Sequence, residues 1–277
     1  MSVKIPKDAY VIIIGAMKAG TTTLYNYLRR HPEICAPDGK EPEYFSHFKK
    51  ERKKRYDRYE DVWSQVPERT FNPKVHKVVL EASTGYSKFP SSLSENVPKA
   101  IFDYGIHPRF IYILRNPFDR IVSHYNFMQN KPHWNVSITD DYLISISNYY
   151  LQLNQFRPYF PSESFLILDF NEIKENPEKL LKTVYEFLGI SKEIDIKLEP
   201  KNTTRIHSDF EKKIRTSRIS SLVRFVPQPL IELAKKQLSP PKRKLSPEER
   251  EYIYNKLKED MNSLHKEYGV NVKKWGF

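Results

Sequence analysis

Nine consecutive residues near the start of this chain combine the groups that hold an anion: Gly15-Ala16-Met17-Lys18-Ala19-Gly20-Thr21-Thr22-Thr23. Two glycines let the backbone turn tightly. A helix starting just after the second offers free N–H groups and the positive end of its dipole. Three threonine hydroxyls add donors, and Lys18 adds a mobile cation. The glycine spacing is that of the nucleoside-triphosphate loop, G-x-x-x-x-G-K-[ST], but Thr21 stands in the lysine position and the lysine has moved inside the loop. A β,γ-phosphate chain with Mg²⁺ fits that pattern poorly. A shorter anion that needs no metal fits it better. The bland alternative, a glycine turn with a threonine cap and a solvated lysine, leaves the coincidence of all these groups unexplained.

A second anion-binding pattern lies at Arg115-Asn116-Pro117-Phe118-Asp119-Arg120-Ile121-Val122-Ser123. Arg115 ends an apolar run, Pro117 starts a helix, and Ser123 lies about two turns along it. An arginine fork with a serine hydroxyl suits a phosphate monoester. The competing reading is Arg115 paired with Asp119 at a helix start.

The elements that must position these groups follow from periodicity. Tyr10–Ile14 is a β-branched run closed by Gly15, the pattern of a strand buried on both faces. Further strands are expected at 33–36, 77–80, 109–114 and 164–168. Helices are expected at 21–30, near 91–103, and at 117–129, 140–156, 177–188 and 247–268. Gly189 supplies a C-terminal cap and Ser246 an N-terminal one. Strands alternating with helices predict one α/β domain over residues 1–277, a central parallel sheet flanked by helices. Ligands of such sheets bind beyond the carboxyl ends of the strands, so the loops after Ile14, Leu80, Leu114 and Leu168 matter most.

Composition narrows the function classes. The one cysteine, Cys35, rules out an intramolecular disulfide and a cysteine-based metal site, and suits a reducing compartment. No apolar run is long enough to span a bilayer, and the start lacks a signal-peptide core, so a soluble, cytoplasmic protein is expected. The net charge of +12 implies anionic partners. Nucleic acid is one, supported by Lys242-Arg243-Lys244, but no helix-turn-helix, zinc-finger or RNA-binding signature accompanies it.

On these residues the sequence resembles the sulfotransferases that use 3′-phosphoadenosine-5′-phosphosulfate (PAPS), and more the heparan-sulfate and bacterial branches than the cytosolic aryl and steroid branch. Gly15–Thr23 looks like their 5′-phosphosulfate loop, so Lys18, Ala19, Gly20, Thr21, Thr22 and Thr23 are expected to hold the co-substrate. Arg115 and Ser123 match the arginine and serine, eight residues apart, that bind its 3′-phosphate. Val79–Tyr86 is similar to the strand and turn beside the acceptor, with Ala82 where some heparan-sulfate enzymes have a lysine. The late loop Asn202-Thr203-Thr204-Arg205 is similar to one that closes over the nucleotide, giving Arg205 a phosphate contact.

The resemblance also supplies a base. Lys40-Glu41-Pro42-Glu43-Tyr44-Phe45-Ser46 resembles the segment that carries a catalytic glutamate, and matching the aromatic pair puts that role on Glu41. An attacking hydroxyl must lose a proton, and a positioned carboxylate takes it. Lys18 then stabilises charge on the leaving phosphate. Glu43 is the rival, expected to face away from the cleft. A surface pair of Glu41 with Lys40 is the ordinary alternative. His47, His76 and His124 are the substitutes should a histidine be the base. The implied activity is metal-free transfer of a sulfuryl group from PAPS to a hydroxyl or amine of a carbohydrate, or of a lipid or polyketide-type metabolite. The acceptor loops are expected at 46–76, 84–92 and 126–160. A nucleoside-triphosphate-dependent kinase and a basic nucleic-acid-binding protein are the rival classes.

Overall fold

The computed structural model describes residues 4–46, 56–66, 70–90, 96–129, 131, 134–191 and 242–277. Five strands form one parallel sheet: β1 (Tyr10–Gly15), β2 (Ile34–Cys35), β3 (Val78–Ala82), β4 (Arg109–Leu114) and β5 (Phe165–Asp169). Their order is β2-β3-β1-β4-β5. The continuous apolar run of β1 lies at the centre because only a strand covered on both faces and both edges can bury every side chain, and all six of its residues are buried. Tyr10 sits beside Val79 on one side, and Ile12 beside Phe110 on the other. From β1 the chain departs towards β2, and from β4 towards β5. Connections therefore diverge at the β1/β4 pair and open a crevice beyond the strand ends.

The helices are α1 (Thr21–Leu28), α2 (Val97–Asp103), α3 (Pro117–Met128), α4 (Asp141–Ser145), α5 (Tyr149–Asn154), α6 (Phe170–Glu175), α7 (Pro177–Leu188) and α8 (Pro247–Tyr268). α7 buries Leu180, Leu181, Val184, Tyr185 and Leu188, and ends at Gly189 in the left-handed conformation. Ser246 and Glu249 close a capping box on α8.

The expected helix over 140–156 is two short helices instead. Tertiary groups take over the backbone partners that a continuous helix would pair within itself. The carboxylate of Asp260, on α8, accepts the N–H groups of Tyr150 (3.0 Å) and Leu151 (2.9 Å) at the start of α5. At the end of α4, the buried Arg120 donates to the Leu143 carbonyl, and Gln152 donates to that of Ser145 (3.1 Å). The short helix α6 was not signalled in the sequence. It starts where the Asp169 carboxylate accepts the N–H of Asn171 at 2.8 Å. Among the described residues no helix is long and apolar enough to cross a membrane.

Candidate active site

The crevice beyond β1 and β4 is a cleft of about 250 Å³. Its floor is the loop between β1 and α1. Gly20 has φ +86, a conformation in which a side chain is strained, and a β-carbon there would lie 2.9 Å from the Phe170 ring. Only glycine lets the loop turn this sharply into α1 while α6 packs against it. The first turn of α1 then brings its orphan N–H groups and the hydroxyls of Thr21, Thr22 and Thr23 to the cleft.

Lys18 enters from the middle of the same loop, also with positive φ (+71). Its ammonium lies 4.4 Å from the centroid of Phe127 on α3. Burial, then the charges of Arg115 and Lys40, pull its pKa down to about 8. A cation so crowded by other cations gains strongly from an anion placed among them. Arg115 is rigidly set. It donates to the carbonyl of Lys18 at 2.8 Å, its guanidinium stacks 4.6 Å from the Phe170 centroid, and its own carbonyl accepts the Tyr149 hydroxyl at 2.7 Å. Ser123 lies on the same wall.

On the opposite wall stands Glu41. Its Oε2 accepts the N–H of Thr84 at 2.8 Å and the Thr84 hydroxyl at 3.2 Å, while Lys40 pairs with Oε1. The same ammonium reaches Thr21 Oγ1 at 3.1 Å, tying this wall to the loop. Burial alone would raise the pKa of Glu41. The Lys40 charge and hydrogen bonds from Glu43, Lys40 and the Thr84 N–H override it and hold the carboxyl below its ordinary value. The Lys40 pair exists, but at the cleft rather than on open surface.

Glu43 stays out of the cleft lining, but not through an extended backbone that turns it to the opposite side from Glu41. Glu41 and Glu43 both have positive φ (62° and 55°), so the segment is not extended, and both carboxylates fold back onto one turn. Glu43 Oε1 accepts the N–H of Gly85 at 3.0 Å, and Oε2 accepts the Ser46 hydroxyl at 2.6 Å. Burial and the hydrogen bond to Glu41 push its pKa up to about 7. It sits behind Glu41 and does not line the cleft.

Lys18, Gly20, Thr21, Thr22, Thr23, Glu41, Arg115 and Ser123 thus line one cavity. Ala19 does not: it is fully buried, and its N–H is used inside the loop by the Ala16 carbonyl at 3.0 Å. A residue that closes a tight turn spends its N–H on that turn. Arg205 and His47 lie outside the described residues. His124 is buried off the cleft, its pKa pulled down to about 2 by burial and by Arg120, Lys88 and Lys18. His76 accepts the Asn72 N–H at 2.9 Å, away from this cleft. Sequence reasoning missed Lys40 as a cleft residue, the buried Glu81 and Lys88, and the aromatic seats Phe127 and Phe170. A basic residue beside a candidate base was the one usable signal, and it pointed to Lys40.

The family model described as Sulfotransferase domain matches residues 8–225. Heparan sulfate glucosamine 3-O-sulfotransferase 6 of Mus musculus is 24% identical over 194 residues, covering 65% of this chain and 52% of that protein. Sulfotransferase 1A1 of Rattus norvegicus is 31% identical over 103 residues, 34% of this chain and 35% of that one. The chain thus spans about half the length of the heparan-sulfate relative, and about a third of the other. The crystal structure of a sulfotransferase from Alicyclobacillus acidocaldarius has the same fold, with a TM-score of 0.68 and 18% identity, over 99% of this chain and 100% of that one.

Proposed function

The chain belongs to the sulfotransferase domain family, and on that premise we propose that it moves the sulfuryl group of PAPS to an acceptor hydroxyl. The observation that carries the proposal is the meeting, in one cleft, of an anion loop holding Lys18, the pair Arg115 and Ser123, and a carboxylate held ionised opposite them. The loop N–H groups and threonines take the 5′-phosphosulfate, and Arg115 with Ser123 takes the 3′-phosphate. Glu41 accepts the acceptor's proton as its oxygen attacks sulfur. The sulfur–oxygen bond to the 5′-phosphate breaks, and Lys18 stabilises the negative charge left on that phosphate oxygen. Adenosine 3′,5′-bisphosphate departs. Similarity to an enzyme named for heparan sulfate glucosamine favours a carbohydrate hydroxyl over a lipid or polyketide one. The test is mass spectrometry of glycan and lipid pools incubated with protein and PAPS, in buffer with EDTA. A sulfate-sized gain in one pool is expected. No gain there, with phosphate-sized gains when ATP and Mg²⁺ are supplied instead, would turn the reading to a kinase.

A further inference from the structure

Residues 272–277 reach Arg115 by three separate routes, although the two segments lie far apart in sequence. The ring of Phe277 stacks on Phe118, in the first turn of α3, with centroids 5.3 Å apart and planes at 10°. It also stacks on Tyr254 of α8 at 5.2 Å. Trp275 meets Tyr149 edge-on at 6.2 Å, and the Tyr149 hydroxyl is the group that holds the Arg115 carbonyl. Lys274 pairs with Asp169, whose carboxylate caps α6 and so places Phe170 beneath the Arg115 guanidinium.

These contacts fix the first turn of the helix that follows Arg115, the carbonyl of Arg115 itself, and the surface its guanidinium rests on. An arginine has many rotamers, and a bidentate contact to a phosphate demands one of them. We propose that residues 272–277 are a positioning brace for Arg115, with Phe277 and Lys274 acting through Phe118 and Asp169 to aim it at its anion. Neither side chain touches the cleft. The inference rests on the reading of Arg115 as the 3′-phosphate contact.

That dependence sets the experiment. Wild type, Phe277→Ala, Lys274→Ala and Arg115→Ala are titrated by calorimetry with adenosine 3′,5′-bisphosphate and with adenosine 5′-phosphate. Phe277→Ala and Lys274→Ala are each expected to weaken the bisphosphate about tenfold and the 5′-phosphate less than about twofold, a partial loss of one charged hydrogen bond. Phe277→Tyr should restore the difference, since it keeps the stacking ring. Lys274 is 40% exposed, so its variant should fold even if that at Phe277 does not. If Arg115→Ala discriminates between the ligands while both brace variants weaken them equally or not at all, residues 272–277 support only the fold and the proposal is overturned. If Arg115→Ala weakens both ligands equally, the 3′-phosphate assignment itself falls, and the brace with it.

Discussion

Two glutamates bonded to successive backbone N–H groups are set to opposite protonation states by what lies beside them. Glu41 meets Lys40 and stays ionised; Glu43 meets burial and Glu41, and holds its proton to about pH 7. Only an ionised carboxylate can take a proton from the acceptor, so Glu41→Gln should lower kcat by about 10²–10⁴-fold with PAPS affinity nearly unchanged. Glu43→Gln should keep most activity, because an amide accepts from Gly85 and donates towards Glu41 much as a protonated carboxyl does. A dead Glu43→Gln with an active Glu41→Gln would reverse the two roles. Lys18→Ala should cost about 10²–10³-fold in rate, as for other losses of transition-state charge stabilisation. Lys18 must be cationic and its pKa is lowered to about 8, so kcat/KM should fall as pH rises through that value. An unchanged kcat/KM up to pH 9.5 would remove its charge from the mechanism.

At the scale of elements, the turn after β3 is what makes the carboxylate pair. A β-carbon on Gly85 would lie 2.2 Å from Glu43 Oε2 and 2.7 Å from its Cδ, so the close approach needs glycine. Gly85→Ala must push the Glu43 carboxylate off the Gly85 N–H, next to the Thr84 N–H that anchors Glu41. Overpacking of this kind costs about 1–3 kcal/mol, which a urea midpoint will read. The same variant should lose turnover. Full activity at unchanged stability would mean that the turn does not set Glu41. The sequence shows a glycine here but no reason for it, because the crowding group comes from a residue 42 positions earlier.

For the whole molecule, burial of ionisable groups links stability to pH in two opposing ways. Burial raises Glu81 to about 7, so the folded chain holds a proton that the unfolded chain, with its ordinary value of 4.5, has released. Stability from this group is full below its ordinary value and is lost as pH rises through about 7. His124 is the reverse: lowered from 6.5 to about 2, it contributes above its ordinary value and loses that contribution as pH falls below it. The two slopes overlap, so variants should be compared with wild type. Relative to it, Glu81→Gln should gain Tm as pH rises from 5 to 8, and His124→Gln should gain Tm as pH falls from 6.5 to 5. Parallel Tm curves for variant and wild type would show that the group does not change charge on unfolding.

What the sequence by itself determined is local. The apolar run of β1, the glycine spacing after it, and Arg115 at the end of β4 with Ser123 about two turns into the helix that follows are set by neighbours along the chain. Periodicity and backbone stereochemistry act at that range, and the sheet, its loops and one wall of the cleft were legible from them. Of the second wall only Glu41 was picked out, through the family resemblance; its backbone and its partners were not. Glu41 and Glu43 adopt positive φ without being glycines, which nothing in their neighbourhood announces, and their partners are Thr84 and Gly85. The break between α4 and α5 depends on Asp260, more than a hundred residues away, and the setting of Arg115 depends on Phe170 and Tyr149. Only tertiary structure decides such features. Side-chain direction and burial, which determine which carboxyl is ionised and which cation is crowded, exist only once distant segments have packed.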